Sequence, residues 1–151
     1  MKGPNTEERK KRMTHIKEAL NNKGLKVTHQ RIEIFNEVIK SDDHPDVETI
    51  YRGVRERLPT VSLDTIYRTL WLLIDMGLIA ALGPSRERVR FDGNTEPHHH
   101  FVCTRCRKIY DFYSPEFDRI QLPEEIQSLG EGEKINVEVR GVCHQCMASS
   151  Q

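Results

Sequence analysis

Ser62-Leu63-Asp64-Thr65-Ile66-Tyr67-Arg68-Thr69-Leu70, then Leu78-Ile79-Ala80-Ala81-Leu82, then Arg88-Val89-Arg90-Phe91, is the stretch on which the fold turns. Ser62 is a helix-capping residue, and Leu63, Ile66, Leu70, Leu73 and Ile74 recur at helical spacing, so they are predicted to face inward. Thr65, Tyr67, Arg68 and Thr69 lie between them and are predicted to face out. Gly77 can stop this helix, because glycine tolerates the left-handed conformation. Residues 78–82 read as a strand, residues 83–87 as a turn, and 88–91 as a returning strand of alternating polarity. A helix followed by a basic two-stranded hairpin is the second half of a winged helix.

Working upstream, three more helices complete that unit. Thr6 is a candidate cap for a helix running to about Asn22, with Gly24 as its stop. Thr28 can cap a second helix, whose Ile32, Phe35, Val38 and Ile39 form one apolar stripe. Residues 41–45 form a turn. Asp46 then caps a third helix, with Val47, Ile50, Tyr51, Val54 and Leu58 on one face and Pro59 at its end.

Downstream, the pattern changes. His100 to Val102 and Lys108 to Tyr113 read as short strands, Pro115 to about Ser128 as a helix, and Lys134 to Val142 as a strand. The expected fold class is therefore α+β. A winged helix (residues 1–90) precedes a small α/β unit (93–151). Formal net charge is zero, yet residues 1–90 carry 17 Lys and Arg against 13 Asp and Glu, while residues 91–151 carry 6 against 10. A basic half followed by an acidic half suggests units with different partners, although so small a difference also arises by chance. No stretch reads as a signal peptide or a membrane span, so a cytoplasmic location with reduced thiols is expected.

Two C-x-x-C pairs, Cys103-Thr104-Arg105-Cys106 and Cys143-His144-Gln145-Cys146, are separated by 36 residues. A two-residue gap lets both sulfurs of a pair reach one ion, and two pairs complete a tetrahedron, which predicts a closed, structural Zn(II) site. A thioredoxin-like redox motif needs only one pair, beside a βαβ pattern. A unit of about 60 residues rarely folds alone without such a metal or a partner subunit. Just before the first pair stands Pro97-His98-His99-His100. In a strand, His98 and His100 share a face and His99 points away. With Asp92 before them and Asp111 after, they suggest a mixed nitrogen and oxygen site for Fe(II), Mn(II) or Zn(II). The competing reading is a solvated polar loop.

On the helix beginning at Ser62, the outward face could be plain solvated surface. As a recognition helix, it would place Arg68, Arg86, Arg88 and Arg90 on phosphates, and Ser62, Asp64, Thr65 and Tyr67 near base edges of duplex DNA. A metalloenzyme would need a base or nucleophile beside the metal ligands, and none is apparent, so no catalytic role is expected. A zinc-stapled interaction module without DNA binding would leave the basic wing and Tyr67-Arg68 unexplained.

Taken in order, these segments resemble the ferric uptake regulator family of bacterial repressors, and within it the peroxide-sensing branch. The resemblance is carried by residues 25–31, 61–70, Phe91-Asp92, 98–103 and 141–146. It implies a homodimer that binds an operator, with residues 1–90 as the winged-helix DNA-binding domain, a hinge at about 83–92 and residues 93–151 as the metal-binding dimerisation domain. It also implies a regulatory Fe(II) or Mn(II) site on His44, Asp92, His98, His100 and Asp111, with His44 supplied by the resemblance alone. Asp111 resembles the peroxide sensors, since iron sensors usually carry glutamate there. In that branch, peroxide reacting at bound Fe(II) oxidises a ligand histidine, here His44 or His98. An iron-uptake or other metal regulator of the family is the alternative. His29 stands where the family usually has proline, and His99 where iron sensors often have an acid. Pro97 and Ile135 stand where many relatives have further histidine ligands, so no third metal site is expected.

Overall fold

The computed structural model describes residues 5–40, 43–83 and 89–149. The chain divides into two compact units, Met1–Thr95 and Glu96–Gln151. Among the described residues, no helix is long and apolar enough to cross a membrane.

The first unit opens with α1 (Thr6–Asn22), capped by the Asn5 side chain, which accepts from the Glu8 N–H at 2.8 Å. The expected cap was Thr6. The two neighbours compete for the same orphan amides, and asparagine is the better cap. Gly24, at φ 69°, ends the helix, and the Leu25 N–H returns to the Leu20 carbonyl. α2 (His29–Ile39), α3 (Val47–Arg55) and α4 (Leu63–Asp75) are capped by Thr28, Asp46 and Ser62, as expected. Their apolar stripes meet in one core that includes Ile16, Leu20, Phe35, Val38, Ile50, Val54, Ile66, Leu70, Leu73 and Phe91.

Two α4 assignments need correction. Leu63, expected inside, is 42% exposed, and Thr69, expected outside, is buried. Thr69 lies three residues after Ile66 and four before Leu73, on the inward stripe. Leu63 is the first helical residue, and side chains lean toward the helix N-terminus, so it projects past the end of the core. β1 (Ala80–Leu82) pairs antiparallel with β2 (Arg90–Asp92), Leu82 opposite Arg90 and Ala80 opposite Asp92. The hairpin turn and two expected phosphate contacts, Arg86 and Arg88, lie outside the described residues.

The second unit is a three-stranded sheet in the order β4-β3-β5. β3 (His99–Cys103) runs antiparallel to β4 (Ile109–Phe112) and parallel to β5 (Glu138–Gly141). The single helix expected from Pro115 is two short ones, α5 (Pro115–Asp118) and α6 (Glu124–Leu129). Pro123 separates them, because it has no N–H to donate and disfavours helical backbone at Leu122. The strand expected from Lys134 begins only at Glu138. β3 starts at His99, and the His100 N–H to Val137 carbonyl bond already marks the limit of pairing. α7 (His144–Ala148), which sequence reasoning did not anticipate, starts at the second cysteine pair.

Candidate metal centres and nucleic-acid interface

Each C-x-x-C pair sits at the end of a strand. Cys103 closes β3, and the chain turns through Arg107 (φ 66°) before β4. Cys143 follows β5 and precedes α7. The parallel pairing of β3 and β5 sets Cys103 opposite Gly141, which brings the two pairs together. All four Sγ atoms lie within 4.8 Å of one another, and Cys106 and Cys143 are 3.8 Å apart. A tetrahedral ion with Zn–S bonds of about 2.3 Å requires sulfurs roughly 3.8 Å apart, so this donor set fits zinc.

The backbone prepares one thiolate in advance. The Cys143 and Cys106 N–H groups donate to the Cys103 sulfur at 3.4 and 3.5 Å, in that order of effect, and hold its pKa down at about 6. The Cys146 thiol is pushed up to about 12, chiefly by its hydrogen bond to the Cys143 sulfur. Four thiolates without a cation would repel, so one sulfur keeps its proton until an ion replaces it.

The histidine and aspartate residues form one cluster in each unit. In the second unit, His98 and His100 share a side of the sheet, with ring centroids 4.6 Å apart. Asp111 is the cross-strand partner of His100, so it projects from the same face. Its Oδ1 lies 3.3 Å from His100 Nε2 and 3.7 Å from His98 Nε2. The His98 ring is oriented by Nδ1, 2.6 Å from the Glu96 carbonyl. His99 points to the other side. Its Nε2 meets Asp118 Oδ1 at 2.8 Å, and Nδ1 accepts from the Val137 N–H at 3.2 Å. That partnership leaves His99 fully engaged in the packing of the second unit.

In the first unit, His44 Nε2 lies 3.6 Å from Asp92 Oδ2, and both side chains are buried. His44 adopts φ 48°, a conformation uncommon for a non-glycine residue, and sits between α2 and α3 in a segment without helical periodicity. Local sequence reasoning missed it for that reason. Two imidazoles with a carboxylate in one unit, and an imidazole with a carboxylate in the other, are donors suited to Fe(II) or Mn(II).

On α4, Asp64, Tyr67 and Arg68 are exposed, and Arg68 pairs with Asp64 one turn earlier. Ser62 is occupied as the cap, with its Oγ accepting from the Thr65 N–H at 3.1 Å and lying 2.9 Å from the Thr65 hydroxyl. Thr65 is half-buried. Trp71, half exposed one turn beyond Tyr67, extends this face and was not among the expected contacts. Arg90, expected on a phosphate, turns elsewhere. Its Nε donates to the His44 carbonyl, and its Nη2 donates to the Asp43 carbonyl at 2.8 Å.

A winged helix followed by a four-cysteine domain, with histidine–aspartate clusters in both units, defines a metal-responsive DNA-binding repressor rather than an enzyme. The chain belongs to the Ferric uptake regulator family, whose model matches residues 22–138. It is 33% identical over 129 residues, 85% of each chain, to the peroxide-responsive repressor PerR of Staphylococcus epidermidis. The Campylobacter jejuni peroxide stress regulator superposes with a TM-score of 0.69 at 26% identity, covering 85% of this chain and 97% of that one. The Helicobacter pylori ferric uptake regulator Fur shares the fold across 97% of both chains, with a TM-score of 0.75 at 23% identity.

Proposed function

We propose that this protein is a cytoplasmic, homodimeric repressor that senses peroxide through a regulatory Fe(II), with Mn(II) as a peroxide-insensitive substitute. The observation that carries the reading is the grouping of His98 and His100 with an aspartate, Asp111, in a chain whose relatives include peroxide-responsive repressors. His44, Asp92, His98, His100 and Asp111 ligate the ion together, and Cys103, Cys106, Cys143 and Cys146 hold structural zinc. Residues 1–90 bind operator DNA and residues 93–151 dimerise, with residues 83–92 as the hinge. Exposed Ile120, Leu122, Leu129 and Val139 in the second unit support a surface covered by a second copy. On α4, Ser62, Asp64, Thr65, Tyr67 and Arg68 face the DNA, with Arg86 and Arg88 reaching phosphates from the wing.

Fe(II), when bound, would supply the redox chemistry that activates hydrogen peroxide, lending an electron that returns to it as the ring is oxidised. The imidazole of His44 or His98 then gains one oxygen from the peroxide, and the other oxygen leaves as water. The oxidised ring is a poorer ligand, so ligation fails and DNA is released. Because metal and operator favour the same conformation, each tightens the other.

The test uses zinc-loaded protein and a duplex selected from random-sequence DNA, with Fe(II) or Mn(II), before and after dilute peroxide. Loss of binding with Fe(II) alone, with one added oxygen on His44 or His98 by peptide mass, is the expected result. Binding that requires metal but ignores peroxide would make the protein an iron or other metal regulator.

A further inference from the structure

β2 (Arg90–Asp92) has its side chains disposed by strand alternation. Phe91 enters the core, while Arg90 and Asp92 share the opposite face. The edge of β2 away from β1 meets the segment between α2 and α3. The Phe91 N–H donates to the Pro45 carbonyl at 2.9 Å, and Asp46 forms an antiparallel bridge with Arg90. The Arg90 guanidinium then spans the two preceding carbonyls, those of His44 and Asp43. The segment carrying His44 is therefore attached to the wing sheet like a short third strand, and His44 lies within it at φ 48°.

We propose that Arg90 is a positioning residue for the regulatory metal, not a phosphate contact. It holds the His44 segment on the wing strand that also carries Asp92, so an ion bound by His44 and Asp92 fixes β2 and with it the wing. The inference rests on the reading of those two residues as ligands. Guanidinium chemistry suits the role. Its planar fork grips two adjacent carbonyls at once, whereas the lysine ammonium is a point donor on a flexible stem. The two carbonyls satisfy two of the five N–H donors of the half-buried Arg90 side chain. A guanidinium committed to them is not offered to DNA.

The experiment compares Arg90→Met and Arg90→Lys with the unaltered chain, all zinc-loaded and dimeric. Hydrogen exchange is read first without regulatory metal, at the Phe91 amide and across residues 43–47. Mn(II) affinity is titrated next, and DNA affinity is measured against salt at saturating Mn(II). Arg90→Met is expected to speed exchange at Phe91 and weaken Mn(II) binding by about ten- to a hundredfold, the range for losing a group that orients a ligand. The salt slope should stay unchanged, and Arg90→Lys should fall between. A phosphate contact predicts the reverse: a salt slope shallower by about one, with exchange and Mn(II) affinity unaltered. That pattern would overturn the proposal. If His44→Ala binds Mn(II) as the unaltered chain does, the ligand assignment fails, whereas unchanged exchange in Arg90→Met removes the clamp alone.

Discussion

Gly93 follows Asp92 and lies against the end of α2. A Cβ added there would stand 2.8 Å from Ile39 Cγ2 and 3.2 Å from Ile39 Cα. Carbon atoms pack best at about 3.5–4.0 Å, so Gly93→Ala forces a separation of roughly half an ångström or more. Ile39 cannot yield easily, because its side chain is buried and its Cα belongs to a helix. The end of β2 must move instead. Arg12 also restrains it, donating to the Gly93 carbonyl at 2.7 Å. Inserting a methyl into a filled site costs about 1–3 kcal/mol. Ligand geometry tolerates only about 0.2 Å, so displacing Asp92 should also weaken Mn(II) binding at least tenfold. Urea unfolding followed by the fluorescence of Trp71, the only tryptophan, measures the first effect, and Mn(II) titration the second. Ile39→Ala removes the obstructing methyl. In that background Gly93→Ala should cost about 1 kcal/mol less, a coupling typical of residues in contact. Additive costs, or unchanged stability with unchanged Mn(II) affinity, would refute the reasoning.

The zinc cluster predicts that Cys143→Ser or prolonged chelation unfolds the second unit, seen as lost amide protection in β3 and β5, while α1–α4 persist. In freshly demetallated protein, read by rapid pH jump before the second unit unfolds, a thiolate absorbance should titrate with a midpoint near 6, reporting Cys103. Because that folded pKa lies below the ordinary thiol value, its stabilising contribution is complete only above the ordinary range and is lost as pH falls through about 6. Gly53→Ala places a Cβ on the buried Glu37 carboxylate, which Arg57 and Lys40 hold at 2.8 and 2.7 Å. Despite a helix-propensity gain of about 1 kcal/mol, the variant should unfold at lower urea, and a more stable variant would show that this ion-pair network contributes little. Tyr67→Ala should lower affinity for the selected duplex without changing the salt slope, whereas Arg68→Ala should make that slope shallower, as measured by anisotropy across a salt series.

What could be read in advance follows the range of the forces involved. The caps at Thr28, Asp46 and Ser62 and the stops at Gly24 and Gly77 depend on groups within four residues, and each appears where expected. The core stripes of α2 and α3 are legible for the same reason. The misreadings arise where distant partners decide. β5 is short because β3, nearly forty residues earlier, offers no edge before His99. The broken helix is an exception, since Pro123 was in plain view and its effect is local. Cys103 and Cys143 converge through a parallel strand pairing that spacing alone does not reveal, although the two pairs pointed to one ion without it. His44 had no local signature at all and entered only through resemblance to a family.

Arg90 shows most clearly what composition leaves out. A basic residue on a wing strand resembles a phosphate contact because charge is visible in a sequence and backbone carbonyls are not. Its acceptors lie more than forty residues earlier, in a turn with no periodic pattern. Strand alternation supplies the rest of the logic. With Phe91 anchored in the core, Arg90 and Asp92 have no choice but the same opposite face, so the clamp on His44 and the carboxylate beside it come from one local rule. An ion can shift the wing only by the difference in its affinity for the two arrangements. With Asp92 and His44 as the proposed ligands, a strand that carries the first and clamps the second would convert that difference directly into wing position, with no longer chain of contacts required.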